Sequence, residues 1–173
     1  HSTNRGGGLS IQGGSPNVIH DTTFSANSTT SDGGAISTYA PLSIANSTLS
    51  GNQANGSGGG VFASGSPAIV RIDNCTITGN AADADTNASG QGGGIAQHYY
   101  SQIHVADSVL SICTAAPAAG RDCAGTIDSE GYNVVRIDDC GGFGAASGDL
   151  AGSAGAPLEA QLGPLADNGG PTL

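Results

Sequence analysis

Asp21-Thr-Thr-Phe-Ser-Ala-Asn27, Asn46-Ser-Thr-Leu-Ser-Gly-Asn52 and Asn74-Cys-Thr-Ile-Thr-Gly-Asn80 share one internal order. Each runs from Asn or Asp through a Thr to a large apolar residue, then through a hydroxyl and a small residue to a closing Asn. Asp107-Ser-Val-Leu-Ser-Ile-Cys113 is a fourth, decayed copy that ends in Cys. Self-similarity at a spacing of a few tens of residues marks a solenoid, in which no single repeat can bury its apolar face alone.

A second signature precedes each copy. Gly6-Gly-Gly-Leu9, Gly33-Gly-Ala-Ile36, Gly58-Gly-Gly-Val61 and Gly92-Gly-Gly-Ile95 place an aliphatic residue at 9, 36, 61 and 95, at intervals of 27, 25 and 34 residues. Between the two signatures, Leu42-Ser-Ile44 and Val70-Arg-Ile72 alternate with period 2, and nothing of comparable length has period 3.6. Each unit therefore supplies about three short strands separated by bends, which is one coil of a parallel β-helix. Stacked coils about 4.8 Å apart pair their backbones and bring like residues into ladders. The expected core ladders are Leu9/Ile36/Val61/Ile95, Ile19/Ile44/Ile72/Val105 and Phe24/Leu49/Ile77/Leu110. Asn27, Asn52 and Asn80 fall where the chain bends. Asn tolerates left-handed backbone angles, and its amide can bond the same amide one turn away, so these three are expected to form a structural ladder. The variable stretch between each Asn and the next Gly run, such as 81–91, is expected on one edge as loops.

Composition agrees. The 173 residues include 30 Gly, no Trp or Met, and only four basic residues, all Arg. With 37% apolar and 10% charged residues the chain is too uncharged for a disordered one. A narrow solenoid core of Val, Ile and Leu needs no bulky filler. A net charge of −10 opposes binding to nucleic acid or anionic lipid. No apolar run is long enough to cross a bilayer, so no membrane insertion is expected. The chain opens at His1 without a signal-peptide pattern, which reads as a processed piece. Cys75, Cys113, Cys123 and Cys140 lack C-x-x-C spacing, and that favours disulfides in an oxidising compartment over zinc.

These repeats resemble those of bacterial surface β-helices, the polymorphic outer membrane proteins, in which G-G-A-I and F/I-x-x-N signatures alternate. The C-terminal third is similar to the choice-of-anchor Q proteins. It carries Asp122-Cys-Ala-Gly125, Gly131-Tyr-Asn133, Asp139-Cys-Gly-Gly-Phe143, Gly148-Asp-Leu150 and the run from Leu162 to Thr172. That resemblance implies an exported, pectin-lyase-like, right-handed parallel β-helix, often sorted to the cell surface. It also implies a Cys123–Cys140 bridge, worth on the order of 3 kcal/mol in the chain-entropy description. It suggests no partner for Cys75 or Cys113. The expected fold is all-β, a right-handed single-stranded solenoid of about five coils over 1–156. An extended tail over 157–173 is expected to pack on the solenoid or on a neighbouring subunit.

Polysaccharide lyases on such folds need a cation-binding carboxylate cluster and a basic residue to take a proton. The best candidates are the twin strings Val70-Arg-Ile-Asp-Asn-Cys75 and Val135-Arg-Ile-Asp-Asp-Cys140. Alternation pairs Arg71 with Asp73 and Arg136 with Asp138 outside, as surface ion pairs worth under about 1 kcal/mol. Asp83, Asp85, Asp122, Asp128, Asp138 and Asp139 have the hard ligands calcium takes, but no calcium-loop spacing is present. No catalytic residue, metal or cofactor is therefore expected. His98-Tyr-Tyr100 is the one aromatic cluster, either surface packing or a sugar-stacking platform. Sequons recur, and Asn55 and Asn87, which fall in loops, are the candidate glycosylation sites. The expected function is a non-enzymatic, secreted or surface-displayed structural or adhesive solenoid. No capping element is evident before Gly6, so an unpaired edge would allow self-association end to end into a filament, besides contact with glycans or a cell surface. A carbohydrate-active β-helix is the alternative.

Overall fold

A computed structural model describes residues 5–14, 16–66, 68–116 and 121–167. Strands there form three parallel sheets that run the length of a right-handed β-helix, with a fourth of two short strands, Ser28–Thr29 and Gln53–Ala54, and the described residues contain no helix. Sheet one stacks Leu9–Ile11, Ile36–Thr38, Val61–Ser64, Ile95–His98 and Cys123–Ala124. Sheet two stacks Asn17–His20, Leu42–Ala45, Ile69–Asp73, Gln102–Ala106 and Ile127–Gly131. Sheet three stacks Thr23–Ser25, Thr48–Ser50, Thr76–Thr78, Val109–Ser111, Val134–Val135 and Leu150–Ala151. Five coils are thus complete, and Leu150–Ala151 begins a sixth.

Register sets the interior. Leu9, Ile36, Val61, Ile95 and Cys123 form one column; Ile19, Ile44, Ile72 and Val105 a second; Phe24, Leu49, Ile77, Leu110 and Val135 a third. From Ile36 to Ile95, Ile44 to Val105 and Leu49 to Val135 these side chains are wholly buried. Each contributes roughly 1.5–3 kcal/mol of apolar burial.

The Gly signature has two separate causes. Gly33, φ +76, turns the chain into sheet one through a conformation that a Cβ opposes. At Gly34 a Cβ would lie 2.2 Å from the carbonyl oxygen of Gly59 in the next coil, so here the need is for close approach of two backbones.

Two expectations need correction. Asn27, Asn52 and Asn80 do not themselves adopt left-handed angles. The residues before them do, Ala26, Gly51 and Gly79, and so do the residues that open each signature, Asp21, Asn46, Asn74 and Asp107. The bend is made outside the ladder, which frees the closing Asn to point inward. The twin strings are also not equivalent in space. Val70 pairs with Ile103 in sheet two, whereas Val135 pairs with Leu110 in sheet three. Coils of unequal length put the same string on different faces.

The ends differ. At the N-terminal coil, Leu9, Ile19 and Phe24 are only partly buried. At the other end Phe143 plugs the core, 6% exposed. Asp138 accepts the N–H groups of Gly141 and Phe143 (2.7 and 3.1 Å) and holds the turn that carries it. Beyond the short bridge Ser153–Ala156 the described part of the tail, to residue 167, has no strand, and residues 162–166 lie over the outer face of sheet three. The remainder of the 157–173 tail, residues 168–173, lies outside the described residues.

Candidate functional site

Polar side chains inside the solenoid are committed to stacking. Asn52 Oδ1 accepts from Asn27 N and Nδ2 (3.0 and 2.9 Å), and Asn80 Oδ1 accepts likewise from Asn52 (2.9 and 2.9 Å). Asn52 and Asn80 also donate to the carbonyls of Phe24 and Leu49. Both are fully buried, so these bonds satisfy groups that no water reaches. Cys113 is the next rung. Its Sγ takes the contact from Asn80 Nδ2 (4.0 Å), and one step further along the column the buried Asp122 carboxylate stands in for a ladder amide, accepting the N–H of Cys113 (3.0 Å) and of Ile137 (2.8 Å). Burial pushes the Asp122 carboxyl up to about 6, although the two N–H bonds and Arg136 work against it.

A second polar column holds Ser47, Cys75 and Ser108. Ser47 and Ser108 each donate to the carbonyl two residues back, and Cys75 Sγ lies 3.2 Å from that of Asp73. Cys75 stands where the two adjoining coils place Ser. The two cysteines that sequence left without partners are therefore ladder rungs, free and buried. Burial pushes the Cys75 thiol up to about 11 and raises that of Cys113 too, so both stay protonated and inert as nucleophiles. Cys123 and Cys140 are bonded, S–S 2.05 Å. Asp138 lies beside them, and among the described residues these three are the one group close enough to share a cation. With both sulfurs in the disulfide, Asp138 is the only ionisable ligand there.

On the outer face of sheet two, Arg71, His104 and Asp128 stack in register. Arg71 Nη1 donates to Glu130 Oε1 at 2.8 Å, and His104 Nδ1 lies 3.3 Å from the same oxygen. Arg71 thus meets an acid two coils away rather than Asp73. Burial, then the Glu130 charge, raises the Asp73 carboxyl. Arg136 likewise pairs with Glu159 of the tail (3.1 Å), not with Asp138. Glu130 reaches Arg71 across the rungs, and the Asp138 carboxylate is taken up by the N–H groups of Gly141 and Phe143, so neither pair within a string closes. Both are exposed ion pairs, which contribute little.

The six acids weighed for calcium do not gather. Asp83 caps its own loop through the N–H of Ala88 (3.0 Å), Asp85 accepts from Asn87, Asp139 accepts from Arg121 N, and Asp122 is in the core. Asn87 is exposed and Asn55 half-buried, both in the edge loops. Asp149 binds Ser129, Asn133 and Gly144; burial would raise its carboxyl, but these bonds outweigh it and hold it below the usual range.

The turn after Ile95–His98 displays Tyr99 and Tyr100, 80% and 84% exposed. Tyr99 has φ +51, a strained angle for an aromatic residue. Gln97 Nε2 pins the turn through the carbonyls of Tyr99 and Ser101 (2.9 and 2.8 Å), and Ser101 Oγ donates to Ala63 and His98. Behind it His98 packs on Phe62 (5.3 Å), Phe62 on Tyr39 (6.3 Å), and Arg5 lies over the Tyr39 ring. Phe62 is buried, so the inner part of this aromatic row is packing and only the two tyrosines are presented.

Residues 1–111 match the family model described as right handed beta helix region. No curated protein and no solved structure matches the chain.

Proposed function

Given that the chain belongs to the right-handed β-helix family, we propose that it is a non-enzymatic extracellular β-solenoid, a rigid rod that acts by display and contact. The observation that carries this reading is the Cys123–Cys140 bond at the closed C-terminal end, since such bonds persist in oxidising compartments. Self-association through the other end is part of the proposal. Leu9, Ile19 and Phe24 are half-covered where Ile36, Ile44 and Leu49 one coil later are sealed, and stacking of a further coil, from this chain or from a second copy, would complete their burial. Stacking of coils end to end would extend the rod into a filament. Light scattering over a concentration series should give a mass that rises with concentration. Monomers at every concentration count against self-association.

A second reading, a sugar-binding module, is favoured by the clamped Tyr99–Tyr100 turn, because exposed aromatic faces stack on pyranose rings. Tyr99→Ala with Tyr100→Ala should then abolish retention on immobilised polysaccharide. The lyase version predicts ultraviolet absorbance from unsaturated uronate product, and a flat trace dismisses it.

A further inference from the structure

Both bonded cysteines follow an aspartate, in Asp122-Cys123 and Asp139-Cys140, and a third acid, Asp138, faces the sulfurs themselves. Asp138 Oδ1 lies 3.5 Å from Cys140 Sγ and 3.9 Å from Cys123 Sγ. Bonded sulfurs carry no proton to donate, so the carboxylate gains no hydrogen bond from them. The chain holds it there instead: Oδ1 accepts the N–H of Gly141 (2.7 Å) and Oδ2 that of Phe143 (3.1 Å). Of the neighbouring cations, Arg136 is drawn off to Glu159, which leaves Arg121 against the three acids.

The two sulfurs are unequally placed. Cys123 is wholly buried and continues the inward column beyond Ile95 in sheet one, whereas Cys140 is half-buried in the turn that carries Phe143. A thiolate from solution therefore meets Cys140 Sγ, and Cys123 has to leave as a thiolate inside the core, where burial opposes its charge. The Asp138 oxygen adds to both difficulties. Its negative charge repels the incoming thiolate at one sulfur and the outgoing thiolate at the other.

We propose that Asp138 guards the Cys123–Cys140 bond, making it a charge-selective latch on the turn with Phe143: anionic thiols are turned away, and cationic thiols open it through Cys140. The exchange balances in two steps. A thiolate RS⁻ attacks Cys140 Sγ, an RS–S bond forms as the Cys123–Cys140 bond breaks, and Cys123 leaves with the electron pair and takes a proton from water. A second RS⁻ attacks the RS sulfur, giving RSSR and Cys140, which is protonated in turn. Two thiols are oxidised and two cysteines reduced.

The folded protein would be reduced with cysteamine, 2-mercaptoethanol and 3-mercaptopropionate, which are cationic, neutral and anionic. Each rate is taken per thiolate and divided by that reagent's rate on a small uncharged disulfide, and opened bonds are counted by alkylation and mass analysis. The relative rates should fall in that order, with about tenfold or more between the ends. The first species trapped should carry the reagent on Cys140 and the alkyl group on Cys123. Asp138→Asn should bring the three rates together, chiefly by speeding the anionic reagent. Asp85→Asn, the same change of net charge in the 81–91 loop, should leave the spread in place. Equal relative rates in the unaltered protein overturn the proposal, as does a spread that Asp85→Asn removes, and both results stand even if Asp138→Asn melts early. Rates independent of reagent concentration overturn it too, since opening of the turn would then be limiting, and so does a first mixed disulfide on Cys123.

Discussion

Asp122 shows what a single residue does when a ladder loses its natural rung. Its folded carboxyl titrates near 6, above the roughly 3.9 of an unfolded Asp. The folded state therefore binds the proton more tightly, and stability present at low pH is lost as pH rises through 6. The unfolding free energy from urea titration should be about 1.4 kcal/mol higher at pH 5 than at pH 8, and Asp122→Asn should remove most of that slope. Asp149 has the opposite sign, but its carboxyl lies below the usual range and acts only at more acid pH. Asn52→Ala removes an acceptor for two groups of Asn27 and a donor to Phe24 and Asn80. A loss of about 3 kcal/mol is expected by chemical denaturation, since buried N–H groups are left unpaired. The Asn ladder could be read from the repeat because the same amide recurs at the same phase. The Asp122 bridge could not, because Asp122 comes from the Gly position of the next coil, not from the signature it serves.

At the level of the coil, each position in the repeat has one physical task, and substitutions should follow the column rather than the residue type. Cys75→Ser should change stability by less than about 1 kcal/mol, since Ser47 and Ser108 occupy that column and bond the same way. Gly34→Ala should cost several times as much, about 3 kcal/mol or more, because the added methyl meets the Gly59 carbonyl and the Gln53 backbone of the neighbouring coil. Thermal melts of the two variants side by side check both. The strand columns were legible because aliphatic residues recur in phase. The faces taken by the twin strings were not, since an interval of 33 residues between Ile77 and Leu110 against 28 between Leu49 and Ile77 shifts what a linear spacing means.

Over the whole molecule the core is less covered at the first coil than at the turn that carries Phe143, and the proposed self-association should be sensitive to that first coil. Leu9→Glu places a charge on that half-covered rung and should hold the chain monomeric in sedimentation or light scattering, with its melting temperature changed by only a few degrees. A variant that still pairs would move the contact elsewhere. The sequence by itself determined the coil, its three strands, and which residues face inward, because stacking repeats a local pattern and every rung declares its phase. Only the tertiary structure decided that Arg71 meets Glu130, that Arg136 meets Glu159, that Phe143 seals one end, and that residues 162–166 roof a row of hydroxyls. Those contacts join residues from different coils or from the unrepeated tail. Their partners are fixed by where loops of unequal length deliver them in space, and no periodicity encodes that.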